Sequence, residues 1–197
     1  MYIYCYSINI YLYLLHKQTK MKTKTETILT ISKFLALMGG VWYCVLCTGQ
    51  IVTLVASFTN LEWAKHSYQA DLTLFSVRDQ STVYFVSAMC LTIAVAGLKA
   101  KIWYVVYQLL SKLKLHTPFS MEVEKKLELI AYLLLAVWLL STIFWKTLIF
   151  YVSRDTSIHL AINNNGDEYL FMAAMMYIIS QVFKRGIEIQ EENQLTV

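Results

Sequence analysis

The sequence predicts an all-α membrane protein, a four-helix transmembrane bundle, and three observations predict it. First, hydrophobic residues make up 57% of the chain and charged residues only 15%, where soluble domains average about 25% charged; the mean hydropathy is +0.49. Second, four apolar runs of membrane-like length or close to it follow one another along the chain. Third, basic residues concentrate in alternate connections. Lys17, Lys20, Lys22 and Lys24 precede the first run, Lys112, Lys114, Lys125 and Lys126 separate the second from the third, and Lys184 and Arg185 follow the fourth. The other connections hold only Lys65 and Arg78, then Arg154. Cytoplasmic segments carry the excess of Lys and Arg, so both termini are expected in the cytoplasm, which requires an even number of spans.

Residues 1–20 stand apart. Their apolar part, about 14 residues, is too short to cross a bilayer at 1.5 Å per residue. It has neither a basic leading region nor a small-residue cleavage site, and so makes a poor signal peptide. Met21 opens a plausible cytoplasmic start, "KTKTETILTISKFL". The expectation is that residues 1–20 are a non-native or disordered extension and that residues 21–197 form a single four-span membrane domain.

The first span is expected at residues 31–58, with no charge after Lys33. The second is expected at residues 81–101, continuing past Lys99 and Lys101 into "IWYVVYQLLSKLKL". Within it Ala88, Thr92, Ala96 and Ala100 recur every four residues, and small residues at that spacing let helices approach closely in lipid. The third span, residues 129–151, is interrupted only by Lys146. The fourth, residues 169–183, offers about 15 uncharged residues, roughly 22 Å of helix against a hydrocarbon core of roughly 30 Å. It needs snorkelling side chains, a thinned bilayer or burial against its neighbours. Trp103, Tyr104 and Tyr107 fall at the inner interface and Trp63, Trp145 and Tyr151 near the outer one, as an aromatic belt requires.

The connections carry weaker signals. In the outer loops "DLTLFSVRD" and "SIHLAINNNGD" alternate apolar and polar residues, and "NNNG" signals a turn; short strands from the two would pair into a small extracytoplasmic β cap. In the inner loop, Thr117 as N-cap with Pro118 at the first helical position would open the third helix, with Ser120 the alternative cap. Glu122 and Glu124 then lie in the first turn, where they favour the helix dipole. After the fourth span, Gly186 is expected at C′, releasing the chain from the helix.

No constellation assembles a catalytic group. Cys44 and Cys47 have the C-x-x-C spacing of redox enzymes, at a depth similar to Cys90. Such a site works through a thiolate, which an apolar run disfavours, and would need a second cysteine pair in an outer loop, where none exists. Lys99, Lys101 and Lys146 raise the question that any intramembrane charge raises, yet each is near enough to an end of its span to snorkel. His16, His66, His116 and His159 lie outside the spans without close ligand spacing. There is no Walker loop, no H-E-x-x-H and no G-x-S-x-G elbow. The lysines are not interleaved with aromatics on a soluble surface, so no direct nucleic-acid binding is expected. Neither a cofactor nor a metal is expected.

The C-terminal stretch "EYLFMAAMMYIISQVFKRGIEIQEENQLTV" resembles the end of the bacterial family called domain of unknown function 2975. Members typically close on phenylalanine-leucine-phenylalanine-methionine-alanine, a short apolar run, lysine-arginine-glycine, and an acidic tail ending leucine-threonine-valine. The likeness falls on residues 170–173 and 178–183, then on Lys184, Arg185, Gly186, Glu188, Glu191, Glu192, Asn193, Leu195, Thr196 and Val197. "TPFSMEV" at residues 117–123, with Pro118, Phe119 and Ser120, is similar to the family's asparagine-proline-phenylalanine-serine segment. Thr117 stands where asparagine is usual, and Gln194 where an aspartate is usual. The resemblance spans roughly residues 21–197. It implies a small four-span protein of the bacterial inner membrane with no assigned substrate, cofactor or catalytic residue. Some relatives look to be encoded beside a small helix-turn-helix regulator.

The expected function is therefore that of a non-enzymatic binding or regulatory membrane component. Its cytoplasmic face, residues 118–124 and 186–197, would dock a regulator of helix-turn-helix type or a second copy of the chain, the lipid bilayer being its other partner. A small solute or ion transporter is the alternative, with Lys99 or Lys146 affecting flux. A quinone-linked thiol oxidoreductase using Cys44 and Cys47 is the remote one.

Overall fold

The computed structural model describes residues 24–59, 77–113, 120–155 and 166–195. Residues 36–197 form one compact unit; residues 1–35 form another, of which residues 24–35 are described, as the beginning of the first helix. The four long helices are α1, Lys24–Thr59; α2, Thr82–Lys112; α3, Met121–Asp155; and α4, Asp167–Leu195. No strand occurs among the described residues. Each helix contains a stretch long and apolar enough to cross a membrane. All four run beyond the expected spans because the polar residues flanking each apolar run continue its helix.

α3 is not uniform. Its first part, Met121–Trp138, and its last, Trp145–Asp155, are α-helical, and Leu139–Phe144 between them forms a π-helix. The Ser141 hydroxyl donates to the carbonyl of Val137 at 2.7 Å and to that of Trp138 at 3.4 Å. A side chain that competes in this way for the carbonyls of the preceding turn loosens the regular ladder, and the π segment takes up the extra residue.

α3 is the hub, packing most extensively on α4 and next on α2. Val105 and Leu109 of α2, Val123, Leu127, Ile130 and Leu134 of α3, and Ala173 of α4 form one buried cluster. A second joins Phe85, Ala88 and Met89 of α2 to Trp145 of α3, with Leu54 and Ala56 of α1 against it. Lipid tails are as apolar as these side chains, so close packing rather than escape from water holds the helices together.

Close contacts fix the registers. Gly39 of α1 lies on the Trp103 ring of α2, and the Cys47 thiol of α1 approaches the Ile93 carbonyl of α2 at 3.9 Å. α3 and α4 are antiparallel, with Gly166 against Thr142 and the Tyr132 and Tyr177 rings 6.4 Å apart. Gly166 therefore lies roughly 20 Å along α3 from Asp155, at 1.5 Å per residue. The short uncharged stretch of α4 runs beside the first two-thirds of α3 and buries Ala173 and Ser180 there, while most of its other side chains stay exposed.

Three local expectations change. Ser120, not Thr117, caps α3: its hydroxyl accepts from the Val123 amide at 3.4 Å and the helix begins at Met121. Pro118 and Phe119 lie outside the described residues, as do residues 1–23. Gly186 does not end α4, which continues to Leu195. Glycine inside a helix costs about 1 kcal/mol, but Ile187 beyond it is buried and Arg185 bonds Glu188 at 2.8 Å one turn on, both of which hold the helical path. In the proposed β cap, residues 77–80 form a helical turn, closed where the Ser81 amide donates to the Val77 carbonyl at 2.7 Å. Val77 is buried with Val152 of α3, a contact that favours the turn. The rest of both cap segments, residues 71–76 and 157–165, lies outside the described residues.

Candidate functional site

The end of α2, the start of α3 and the C-terminal part of α4, far apart in sequence, meet at one end of the bundle. Capping by Ser120 starts α3 with Glu122 and Glu124 in its first turn, where the helix dipole favours negative charge. Lys112, in the last turn of α2, pairs with Glu122, and the Lys126 ammonium donates to the Gln108 side-chain oxygen at 2.6 Å. These bonds tie the end of α2 to the start of α3. Phe183 of α4 packs against the cluster containing Val123 and Leu127, and Ile187 is buried one turn further on. Ser120 and Lys184–Gly186 therefore belong to the same end of the molecule.

Beyond Phe183, α4 is a polar helix. Lys184 and Arg185 are exposed, Gly186 and Glu188 are half-buried, and Glu191, Glu192 and Asn193 are exposed. Leu195 is its last residue; Thr196 and Val197 lie outside the described residues. Charge changes sign along this extension, from a basic pair at its root to carboxylates toward its tip.

The small-residue stripe of α2 is placed plainly. Ala88 and Ala96 are buried and Thr92 and Ala100 half-buried. Ala88 sits in the cluster with Trp145, and Ala100 borders a cleft shared with α1.

The lysines within the spans engage aromatic rings. Lys99 places its ammonium 5.0 Å from the Tyr169 ring of α4 and 5.8 Å from the Tyr43 ring of α1, and Lys101 lies 5.7 Å from the Tyr104 ring. An aromatic face attracts a cation, more strongly where water is scarce. Lys146 is exposed. The partners Tyr43 and Tyr169 escaped the sequence reading, which had no means of relating three helices. Cys44, Cys47 and Cys90 are free thiols. All four histidines lie outside the described residues, and among the described residues no group of His, Cys, Asp and Glu could hold a metal.

The π segment is the other feature without a sequence signal. Beside it the Trp138 and Trp145 indole nitrogens and the Thr142 hydroxyl are buried without hydrogen-bond partners. Gly166 presses on this segment: a Cβ there would stand 2.2 Å from the Thr142 hydroxyl and 2.9 Å from that of Ser141.

Four apolar helices with close helix–helix contacts define a multi-pass helical membrane protein. The chain belongs to the family described as "Protein of unknown function (DUF2975)", which it matches over residues 46–197. That match takes in the inner loop and the tail from which the resemblance was read. No curated protein and no solved structure matches the chain.

Proposed function

We propose that this chain is a non-enzymatic component of the bacterial inner membrane, with both termini in the cytoplasm, that works by binding a cytoplasmic regulator of helix-turn-helix type. The observation that carries the reading is the unbroken passage of α4 through Gly186 to Leu195. A tail meant only to trail into solvent has no need of a helix. This one carries Glu191 and Glu192 on its exposed surface, beyond the Arg185–Glu188 bond. DNA-binding regulators carry basic surfaces, and a helical array of carboxylates offers them a complementary one.

The test is a photo-crosslinking residue at Glu191 in native membranes. The expected adduct is a small helix-turn-helix protein, lost when residues 187–197 are deleted from a chain carrying the crosslinker at Lys184 instead, with membrane insertion unchanged. An adduct that survives the deletion counts decisively against the reading, and an adduct only with a second copy of the chain replaces the regulator by a homo-oligomer.

A further inference from the structure

We propose that the cleft between α1 and α2 is a binding site for one anionic phospholipid of the surrounding bilayer. The cleft has a volume of about 1140 Å³, somewhat above the roughly 300–1,000 Å³ typical of ligand sites. Its α1 wall runs from Ala36 to Thr53, roughly 25 Å at 1.5 Å per residue. That is an elongated space suited to an acyl chain rather than to a compact solute. The lining is overwhelmingly apolar, with glycines and short side chains along the α1 wall and Trp103, Tyr104 and Tyr107 along the α2 wall.

What selects the occupant is the rim. Lys101 is exposed, and its ammonium lies over the ring of Tyr104, which itself lines the cleft. A cation held over the ring of a tyrosine that lines an apolar cleft matches a phosphate joined to acyl chains. Basic pockets between membrane helices bind anionic headgroups on this principle. Trp103 lies on Gly39 at the same end of the cleft as Lys101, while Gly49, toward the other end of the α1 wall, has nothing within 4 Å of where its Cβ would stand.

Gly49 therefore supplies the decisive variant. Gly49→Leu sets a side chain into the cleft from a position whose Cβ meets nothing within 4 Å and replaces a poor helix former by a good one, so the fold is expected to withstand it. Purified protein is placed in nanodiscs of phosphatidylglycerol or phosphatidylcholine, and retained lipid is counted by native mass spectrometry. The expected result is one retained phosphatidylglycerol, favoured about fivefold over phosphatidylcholine, the preference one lysine supports. Lys101→Gln should abolish the preference while leaving chain occupancy, and Gly49→Leu should abolish retention of both lipids without lowering thermal stability. Equal retention of the two lipids by the unaltered protein overturns the proposal, as does undiminished retention by Gly49→Leu. Conversion of a dimer to a monomer by Gly49→Leu, with lipid retention unchanged, overturns it in favour of a second copy of the chain in the cleft.

Discussion

At the scale of single residues, the contact between α1 and α2 turns on which glycine is considered. A Cβ at Gly39 would meet the Trp103 indole at 2.7 Å, with two more ring atoms at 2.8 and 3.0 Å. The indole is a rigid plate lying on α1, so it yields only by turning into the cleft it lines or by moving α1 away. Overpacking of this kind typically costs about 1–3 kcal/mol, against a gain in helix propensity of about 1 kcal/mol. Gly39→Ala is therefore expected to destabilise the bundle by about 1 kcal/mol net. Gly49→Ala, in open space, should stabilise it by up to about 1 kcal/mol. Denaturation in mixed micelles, followed by tryptophan fluorescence, should move the midpoint in opposite directions for the two variants. Adding Trp103→Leu to Gly39→Ala should return part of the loss. If the two alanines behave alike, the Gly39–Trp103 contact is not what sets the distance between these helices.

At the scale of elements, the joint between α3 and α4 depends on the π segment. Gly166 approaches the Ser141 and Thr142 side chains more closely than any Cβ would allow, so α4 starts against the one stretch of α3 that departs from α-helical geometry. Gly166→Ala is expected to lower stability by about 1–3 kcal/mol. Thr142→Ala removes both the nearest obstacle and a buried hydroxyl without a partner, and should therefore cost little alone and relieve part of the Gly166→Ala loss. A double-mutant cycle measures that coupling, and strict additivity would mean the two positions do not meet. The sequence made the four helices legible because each rests on a long apolar run, and Ser120 was legible as one of two caps because its side chain acts locally. It could not show the π segment, which contains no proline or glycine to announce it. Nor could it show that α4 continues past Gly186, because that glycine's usual meaning gives way to the burial of Ile187 and the Arg185–Glu188 bond. The Tyr43–Lys99–Tyr169 meeting required knowing the register of three helices at once, and so did the cleft beneath Lys101 and Tyr104.

At the scale of the whole molecule, the placement of charge sets the topology. Lys112, Lys125 and Lys126 gather where α2 meets α3, and Lys184 and Arg185 where α4 leaves its apolar run, while the opposite ends of α2 and α3 show Arg78 with Asp79 and Arg154 with Asp155. At those ends each cation has a carboxylate beside it; at the α2–α3 connection and the tail, lysine and arginine accumulate, and it is their number rather than net charge that orients spans. The proposed placement of both termini in the cytoplasm rests on this. In a cysteine-free background, a single cysteine replacing Asp79 should react with a membrane-impermeant maleimide in intact cells. One replacing Glu191 should react only after the membrane is opened. Labelling of Glu191→Cys in intact cells, with Asp79→Cys protected, would invert the topology and take the α4 extension out of reach of any cytoplasmic regulator. It would leave the lipid cleft intact, because a phosphate on Lys101 requires only that the cleft open toward one leaflet. Neutralising Lys184 and Arg185 to glutamine should weaken the retention of the tail without reversing it, because Lys112, Lys125 and Lys126 still hold the neighbouring connection on the same side.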